Sequence, residues 1–209
     1  RGKDLRKLSL VERRKYLEKF CNNYTKNKID LSAIIKFSNW KDLEKYKNNT
    51  LEELNEGVMI KLKKSEYLPG RKKGFWYKWK KNPKYVDAIL MYAQRGHGKR
   101  SSYYSDYTFG IWNHNAIVPI AKAYSGYTNQ ELEKIDKFIR ANTIATYGPV
   151  KEVKKELVFE LAFDSIHVSN RHKSGVSLRF PRINRIRWDK PANEVLGLAQ
   201  IKSDFKLLD

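Results

Sequence analysis

Glu56-Gly57-Val58-Met59-Ile60-Lys61 and Lys78-Trp79-Lys80 place a carboxylate and three ammonium groups on two short β-prone runs separated by a loop. Side chains two positions apart on a strand leave the same face, so Lys78 and Lys80 can converge on one phosphate-sized anion. Glu56, at a strand start, is placed to hold a metal or a ribose hydroxyl. A Lys-x-Lys strand edge also serves simply to discourage edge-to-edge aggregation, so the spacing alone does not decide. A second cationic group follows a hundred residues later as Arg179-Phe180-Pro181-Arg182, Arg185 and Arg187-Trp188-Asp189-Lys190. His114, His167 and His172 have no partner at metal-ligand spacing, so no structural zinc is expected. Arg95-Gly96-His97-Gly98-Lys99-Arg100 reads as a surface turn sooner than as a phosphate cradle. The lone Cys21 reads as a packed or tolerated thiol, and Trp76, Trp79 and Trp112 as core or sheet-face residues sooner than base-stacking platforms.

These groups sit in a strongly basic chain of 209 residues with a net charge of +20 and a pI near 9.9. The charge is focused: residues 61–100 hold 13 basic and 2 acidic side chains, and residues 171–190 hold 7 and 1. Two dense patches from separate stretches point to a polyanion held between surfaces, because clustered Lys and Arg neutralise phosphates and release counterions. Neither patch has the pattern of an amphipathic helix, which argues against an acidic membrane as the partner. An apolar share of 41% with 13% aromatics is enough for a packed core. One cysteine excludes an internal disulfide framework, and no run approaches the roughly 20 apolar residues of a membrane span. A soluble, cytoplasmic, nucleoid-associated protein is expected.

Elements must then position the charges. Ser9-Leu10-Val11-Glu12 is a capping box that predicts a helix of about ten residues ending near Asn22-Asn23, with Leu10, Tyr16, Leu17 and Phe20 as its apolar side. Asn39 to Leu54 has a helical pattern too, with Trp40, Leu43, Tyr46, Leu51 and Leu54 on one face. Gly57–Lys61 and Phe75–Lys80 read as strands around a Pro69-Gly70 loop. Asn82-Pro83 marks a boundary between two units. Beyond it, strands are expected over 85–92, 106–112 and 117–124, followed by a helix capped by Thr128 and Glu131 with Leu132, Ile135, Phe138 and Ile139 on one side. Two further strands are expected over 157–168 and 176–187, and a short helix over 193–201. Five strands with one helix before the fourth fit a small Greek-key barrel of the OB type, a common nucleic-acid platform.

In this order the charged groups resemble the ATP-dependent DNA ligases, a family of covalent nucleotidyltransferases. Glu56-Gly57-Val58-Met59 is similar to the family's fourth motif and Lys78-Trp79-Lys80 to its fifth. Arg179-Phe180-Pro181-Arg182 with Arg187-Trp188-Asp189-Lys190 is similar to its sixth. Gly70-Arg71-Lys72-Lys73-Gly74, Tyr92-Ala93-Gln94-Arg95-Gly96-His97-Gly98, Ala123-Tyr124-Ser125-Gly126 and His172-Lys173-Ser174-Gly175 resemble the bacterial, helicase-associated subgroup most closely. The resemblance covers about residues 1–201 and corresponds to the C-terminal two-fifths of such an enzyme.

The resemblance implies an α+β chain: residues 1–82 as the C-terminal part of a nucleotidyltransferase (adenylation) domain and 83–209 as an OB-fold β-barrel. It implies sealing of 3′-hydroxyl/5′-phosphate nicks in duplex DNA through ligase-AMP and DNA-adenylate intermediates, in replication, repair and recombination, with ATP and Mg2+ (or Mn2+) as cofactors. Lys78 and Lys80 are implied to grip the adenylate phosphate, Glu56 to bind or orient the metal, and Lys61 and Arg182 to join the nucleotide site. Arg187, Asp189 and Lys190 are implied to orient the pyrophosphate when the barrel closes over ATP, a closure that needs a mobile linker at Lys81 to Lys84. Phe180 is implied to press into the minor groove beside the nick. Arg71, Lys72, Lys73, Arg171, Lys173 and Arg179 are implied duplex contacts.

The family's nucleophilic lysine lies in a Lys-x-Asp-Gly motif, and this sequence contains no such tetrapeptide. The chain is therefore expected to be a fragment that cannot adenylate itself, partnered by the N-terminal part of the same enzyme and by a helicase or nuclease. The competing readings are a guanylyltransferase of the RNA-capping type, against which the Arg-Phe-Pro-Arg text speaks, and a non-catalytic duplex-binding OB module. Backbone binding alone does not demand the residues at 56, 78, 80, 187 and 190.

Overall fold

The computed structural model describes residues 2–25, 29–50, 55–98 and 101–207. The chain folds as two compact units, Arg1–Lys81 and Asn82–Asp209.

In the first unit, Ser9 Oγ accepts from Glu12 N while the Glu12 carboxylate accepts from Ser9 N at 2.9 Å, which satisfies two backbone donors at the start of α1 (Leu10–Phe20). The helix runs on into a wider turn over Cys21–Thr25. None of its residues is buried, and Tyr16, Leu17 and Phe20, expected on an apolar side, face solvent. Helical spacing reports which side of a helix is apolar; burial needs a second element across from it, and no described element covers this one. Asn39 caps α2 (Trp40–Lys45) by accepting from Asp42 N at 3.0 Å, and a wide turn over Tyr46–Thr50 follows. Leu43 and Lys47, four apart, are buried, whereas Trp40 is exposed. Leu51 and Leu54 lie outside the described residues. The unit ends in an antiparallel hairpin, β1 (Gly57–Lys61) with β2 (Trp76–Lys80), in which Gly57 faces Lys80 and Met59 faces Lys78. Among its described apolar residues, only Cys21, Leu43 and Val58 are buried.

The second unit holds the main core. β3 (Lys84–Arg95) pairs antiparallel with β4 (Tyr104–Asn113), β4 with β5 (Ala116–Ala123), and β8 (Val158–Phe163) with both β3 and β11 (Arg182–Arg187). Twelve residues long, β3 serves three partners: β8 along Lys84–Ile89, β7 (Val150–Val153) along Tyr92–Gln94, and β4 on its other edge. β6 (Thr143–Tyr147) pairs with β7, and β9 (Ser165–Val168) with β10 (Val176–Arg179). Ile183 N donates to Ser125 O at 2.9 Å, joining the start of β11 to the chain leaving β5 and curling the sheet into a barrel. Only glycine fits at 126, because its φ is +98° and a Cβ there would stand 1.9 Å from Ile183 O. Tyr107, Phe109, Phe159 and Phe163 fill the interior with Ile89, Leu90 and Leu161. The helix α3 (Asn129–Asn142), capped by Thr128 and Glu131, adds Ile135 and Ile139 to this core, and α4 (Leu198–Asp204) adds Leu198 and Ile201.

The sequence pattern predicts five strands here, and nine are present among the described residues. The stretch 157–168 breaks at Asp164, whose N–H leaves the first partner to donate to Arg179 O. The stretch 176–187 breaks at Phe180, which adopts φ 51°. The β6–β7 hairpin, turning at Gly148-Pro149, was not anticipated because α3 runs straight into it. The terminal helix lies three residues later than expected at its end, with a short 3-10 turn over Ala192–Glu194 before it.

Candidate phosphate and nucleic-acid site

Pairing in the β1–β2 hairpin puts Gly57, Met59 and Lys61 on one face with Lys80, Lys78 and Trp76. All five side chains on that face are exposed. The reverse face carries Val58 and Trp79 against the interior, where the Lys47 ammonium, only 2% of the residue exposed, donates to Lys80 O at 3.1 Å and lies 5.1 Å from the Trp79 ring centroid. Lys47 thus fixes the carbonyl of Lys80, whose side chain leaves from the opposite face of the hairpin. Gly57 has φ +148°, and a Cβ there would lie 2.2 Å from Trp79 O, so the glycine after Glu56 is what lets the two backbones close. Lys81 N donates to Glu56 O at 2.8 Å and extends the pairing one step.

The result is a surface depression lined by Glu56, Gly57, Val58, Met59, Lys78, Trp79 and Lys80. Lys80 Nζ stands 3.7 Å from Glu56 Oε2, and both side chains keep access to solvent. Two ammonium groups beside one carboxylate suit a phosphate accompanied by a divalent cation, since Mg2+ is commonly held by one or two carboxylates together with phosphate oxygens and water. Lys61 shares the face but sits at the hairpin's far end, its Nζ 4.3 Å from the Trp76 ring centroid, and does not line the depression. Arg71, Lys72 and Lys73 are exposed on the loop joining the two strands.

The second cationic group is more heavily paired than its sequence suggests. Arg182 meets Asp164 at 3.2 Å, and Arg185 meets Glu160 at 3.1 Å. Arg187 is gripped on two edges: Nε and Nη2 bind Asp189, the closest contact at 2.9 Å, and Nη1 binds Asp87 Oδ2 at 3.1 Å. Lys190 donates to that same Asp87 oxygen at 2.9 Å. The hydrogen bond from Arg187 holds the Asp189 carboxyl below its ordinary pKa of 3.8 and, with Asp87 adding to the effect, raises Arg187 further above its ordinary value. Asp87 was missed from sequence, although a lone carboxylate inside Val86-Asp87-Ala88-Ile89-Leu90 was a signal. Arg179 ends β10 and Phe180 opens the turn to β11, the guanidinium carbon 4.9 Å from the ring centroid, and Phe180 is 55% exposed. Arg171 and Lys173 are exposed on the β9–β10 loop.

One unit thus presents a Glu-Gly/Lys-x-Lys hairpin and the other a curled, cation-bearing barrel of the OB type. Residues 1–80 match the ATP dependent DNA ligase domain family and residues 100–190 the ATP dependent DNA ligase C terminal region. The chain is thus built of ATP-dependent DNA ligase domains. It is 41% identical over 155 residues to a probable DNA ligase of Koribacter versatilis, covering 74% of this chain and 27% of that protein. It is 32% identical over 195 residues to a DNA ligase of Methanococcus aeolicus, covering 93% of this chain and 34% of that protein. The chain therefore spans about a third or less of these curated relatives. In fold it is similar to a Lig E DNA ligase, with TM-score 0.61 at 19% identity over 86% of this chain and 59% of that one. It is also similar to Pmar-Lig_PreS3, with TM-score 0.65 at 18% identity over 87% and 40%. These matches do not favour the capping-enzyme and non-catalytic readings. Among the described residues, no helix is long and apolar enough to cross a membrane.

Proposed function

We propose that the chain is the C-terminal working part of an ATP-dependent DNA ligase that seals 3′-hydroxyl/5′-phosphate nicks in duplex DNA. The observation that carries this is the hairpin depression, where Glu56 and Lys80 stand 3.7 Å apart with Lys78 beside them, within a chain of ligase domains. ATP supplies the adenylyl group of the reaction. Lys78 and Lys80 bind and neutralise the phosphate being transferred, which is the main task in phosphoryl-transfer catalysis. Glu56 would hold the divalent metal, Mg2+ or Mn2+, which would neutralise phosphate charge there, and its carboxylate keeps Lys80 directed over the depression. Arg187, Asp189 and Lys190 orient the pyrophosphate, while Lys61 and Arg182 join the nucleotide site. Arg71, Lys72, Lys73, Arg171, Lys173 and Arg179 hold the duplex backbone without reading bases, and Phe180 presses on the minor groove.

The nucleophilic lysine belongs to a preceding N-terminal part, so residues 1–82 complete an adenylation domain and 83–209 supply the barrel. The flanking phrases favour the helicase-associated bacterial subgroup, with a helicase or nuclease partner and a place among nucleoid proteins. In an enzyme containing both parts, Lys80→Ala is expected to slow adenylyl transfer far more than it weakens nick binding. Equal losses in rate and affinity would reduce Lys80 to an electrostatic contact and remove the catalytic reading. The chain alone, incubated with ATP labelled at the α-phosphate, is expected to take up no covalent label.

A further inference from the structure

Asp87 lies on β3 directly opposite Glu160 of β8, so two carboxylates face each other across neighbouring strands. Such a like-charged pair is unfavourable unless cations bridge it. Here each carboxylate has its own partners: the Arg185 guanidinium and the Asn184 amide donate to Glu160, at 3.1 and 2.6 Å, and Arg187 and Lys190 donate to Asp87. One oxygen, Asp87 Oδ2, receives both of the latter cations; the other, Oδ1, is buried and has no hydrogen-bond partner. The side chains of Asp87, Arg187 and Lys190 are 15%, 19% and 18% exposed, whereas Asp189, the other carboxylate on Arg187, is 69% exposed. The backbone shapes this contact, since Lys190 N donates to Arg187 O at 3.2 Å and the resulting turn brings both cationic heads back onto β3.

We propose that the Asp87 carboxylate is a built-in competitor for phosphate: it holds Arg187 and Lys190 against the barrel wall, and a di- or triphosphate must draw both away from it. This rests on the reading of Arg187 and Lys190 as phosphate ligands. The chemistry of Asp87 matches the role, for a carboxylate oxygen shared by a guanidinium and an ammonium occupies the position that a phosphate oxygen takes between the same two donors. An anion arriving from solvent meets two cations that are about four-fifths covered. Drawing them out leaves Asp87 partly buried, unpaired and opposite Glu160, which is costly and gives the contact a restoring force. In the absence of ligand the one carboxylate that touches both cations is Asp87, with the exposed Asp189 adding to the hold on Arg187, and the higher charge of a pyrophosphate group competes with it. If the contact is closed about nine-tenths of the time, apparent anion affinity is reduced about tenfold.

The test is titration of the full chain with inorganic pyrophosphate, read by calorimetry for every variant and, in the unsubstituted chain, also from the Arg187 guanidinium resonances, whose Nη1 group donates to Asp87. Asp87→Asn keeps the shape and removes the charge, and is expected to bind pyrophosphate about tenfold more tightly than the parent. Unchanged or weaker binding by Asp87→Asn, with the Arg187→Ala/Lys190→Ala double variant losing binding, would overturn the competitor role and leave the phosphate-ligand reading standing. Unchanged binding by that double variant would overturn both. A measurement on the unsubstituted chain guards against a variant that fails to fold: the Asp87 carboxyl carbon resonance should shift as pyrophosphate is added. If it stays fixed while Arg187 responds, the anion joins beside Asp87 rather than replacing it, and the proposal is wrong.

Discussion

At the level of single residues, the barrel's cations are set by the carboxylates they touch. Asp189 is held below the ordinary carboxylate pKa by the Arg187 guanidinium, and a depressed folded value means that the attraction is complete above the unfolded value and lost as pH falls through the folded one. Arg187, raised, stays charged throughout. An NMR titration should therefore show Asp189 ionised into the acid range, and Arg187→Ala should bring its midpoint up toward 3.8. Phe180 makes a different statement. Its backbone sits at φ 51°, a conformation that disfavours any residue with a Cβ by about 1–2 kcal/mol, yet its ring is exposed. Phe180→Gly should melt no lower than the parent while binding a nicked duplex more weakly. A variant that loses stability but keeps affinity would assign the ring to packing.

At the level of elements, the hairpin depends on one glycine. In Gly57→Ala the new methyl group meets Trp79 O at 2.2 Å in a backbone region that L-residues avoid. A loss of about 2–4 kcal/mol is expected, seen as rapid hydrogen exchange at the β1 and β2 amides while the barrel amides stay protected. This hairpin was legible in the sequence because its strands are short, alternate in character and flank a Pro-Gly loop. Both capping boxes were legible because they are local chemistry, complete within four residues. The breaks at Asp164 and Phe180 were not, since hydrogen bonds to distant strands and a single backbone angle set them. Likewise Lys78 and Lys80 could be put on one face from strand spacing, whereas Asp87 meets Arg187 and Lys190 across separations of 100 and 103 residues, which no local pattern reports.

At the level of the whole molecule, charge dominates behaviour toward DNA. Replacing exposed Lys72 and Lys73 with alanine should reduce the slope of log affinity against log salt by about 1.8 on duplex DNA, with no change in sequence preference. A salt-insensitive complex would exclude backbone neutralisation by that loop. The first unit adds a further property of the molecule in solution. Among its described residues, three buried apolar side chains stand against Tyr16, Leu17, Phe20, Trp40, Met59 and Trp76 facing water, on a chain carrying +20. Mutual repulsion between copies is then what keeps these greasy surfaces apart, and added electrolyte weakens it as the Debye length falls from about 10 Å at 0.1 M to about 3 Å at 1 M. Light scattering of the purified chain should accordingly rise with sodium chloride, a colloidal failing rooted in the greasy side chains this unit leaves in water.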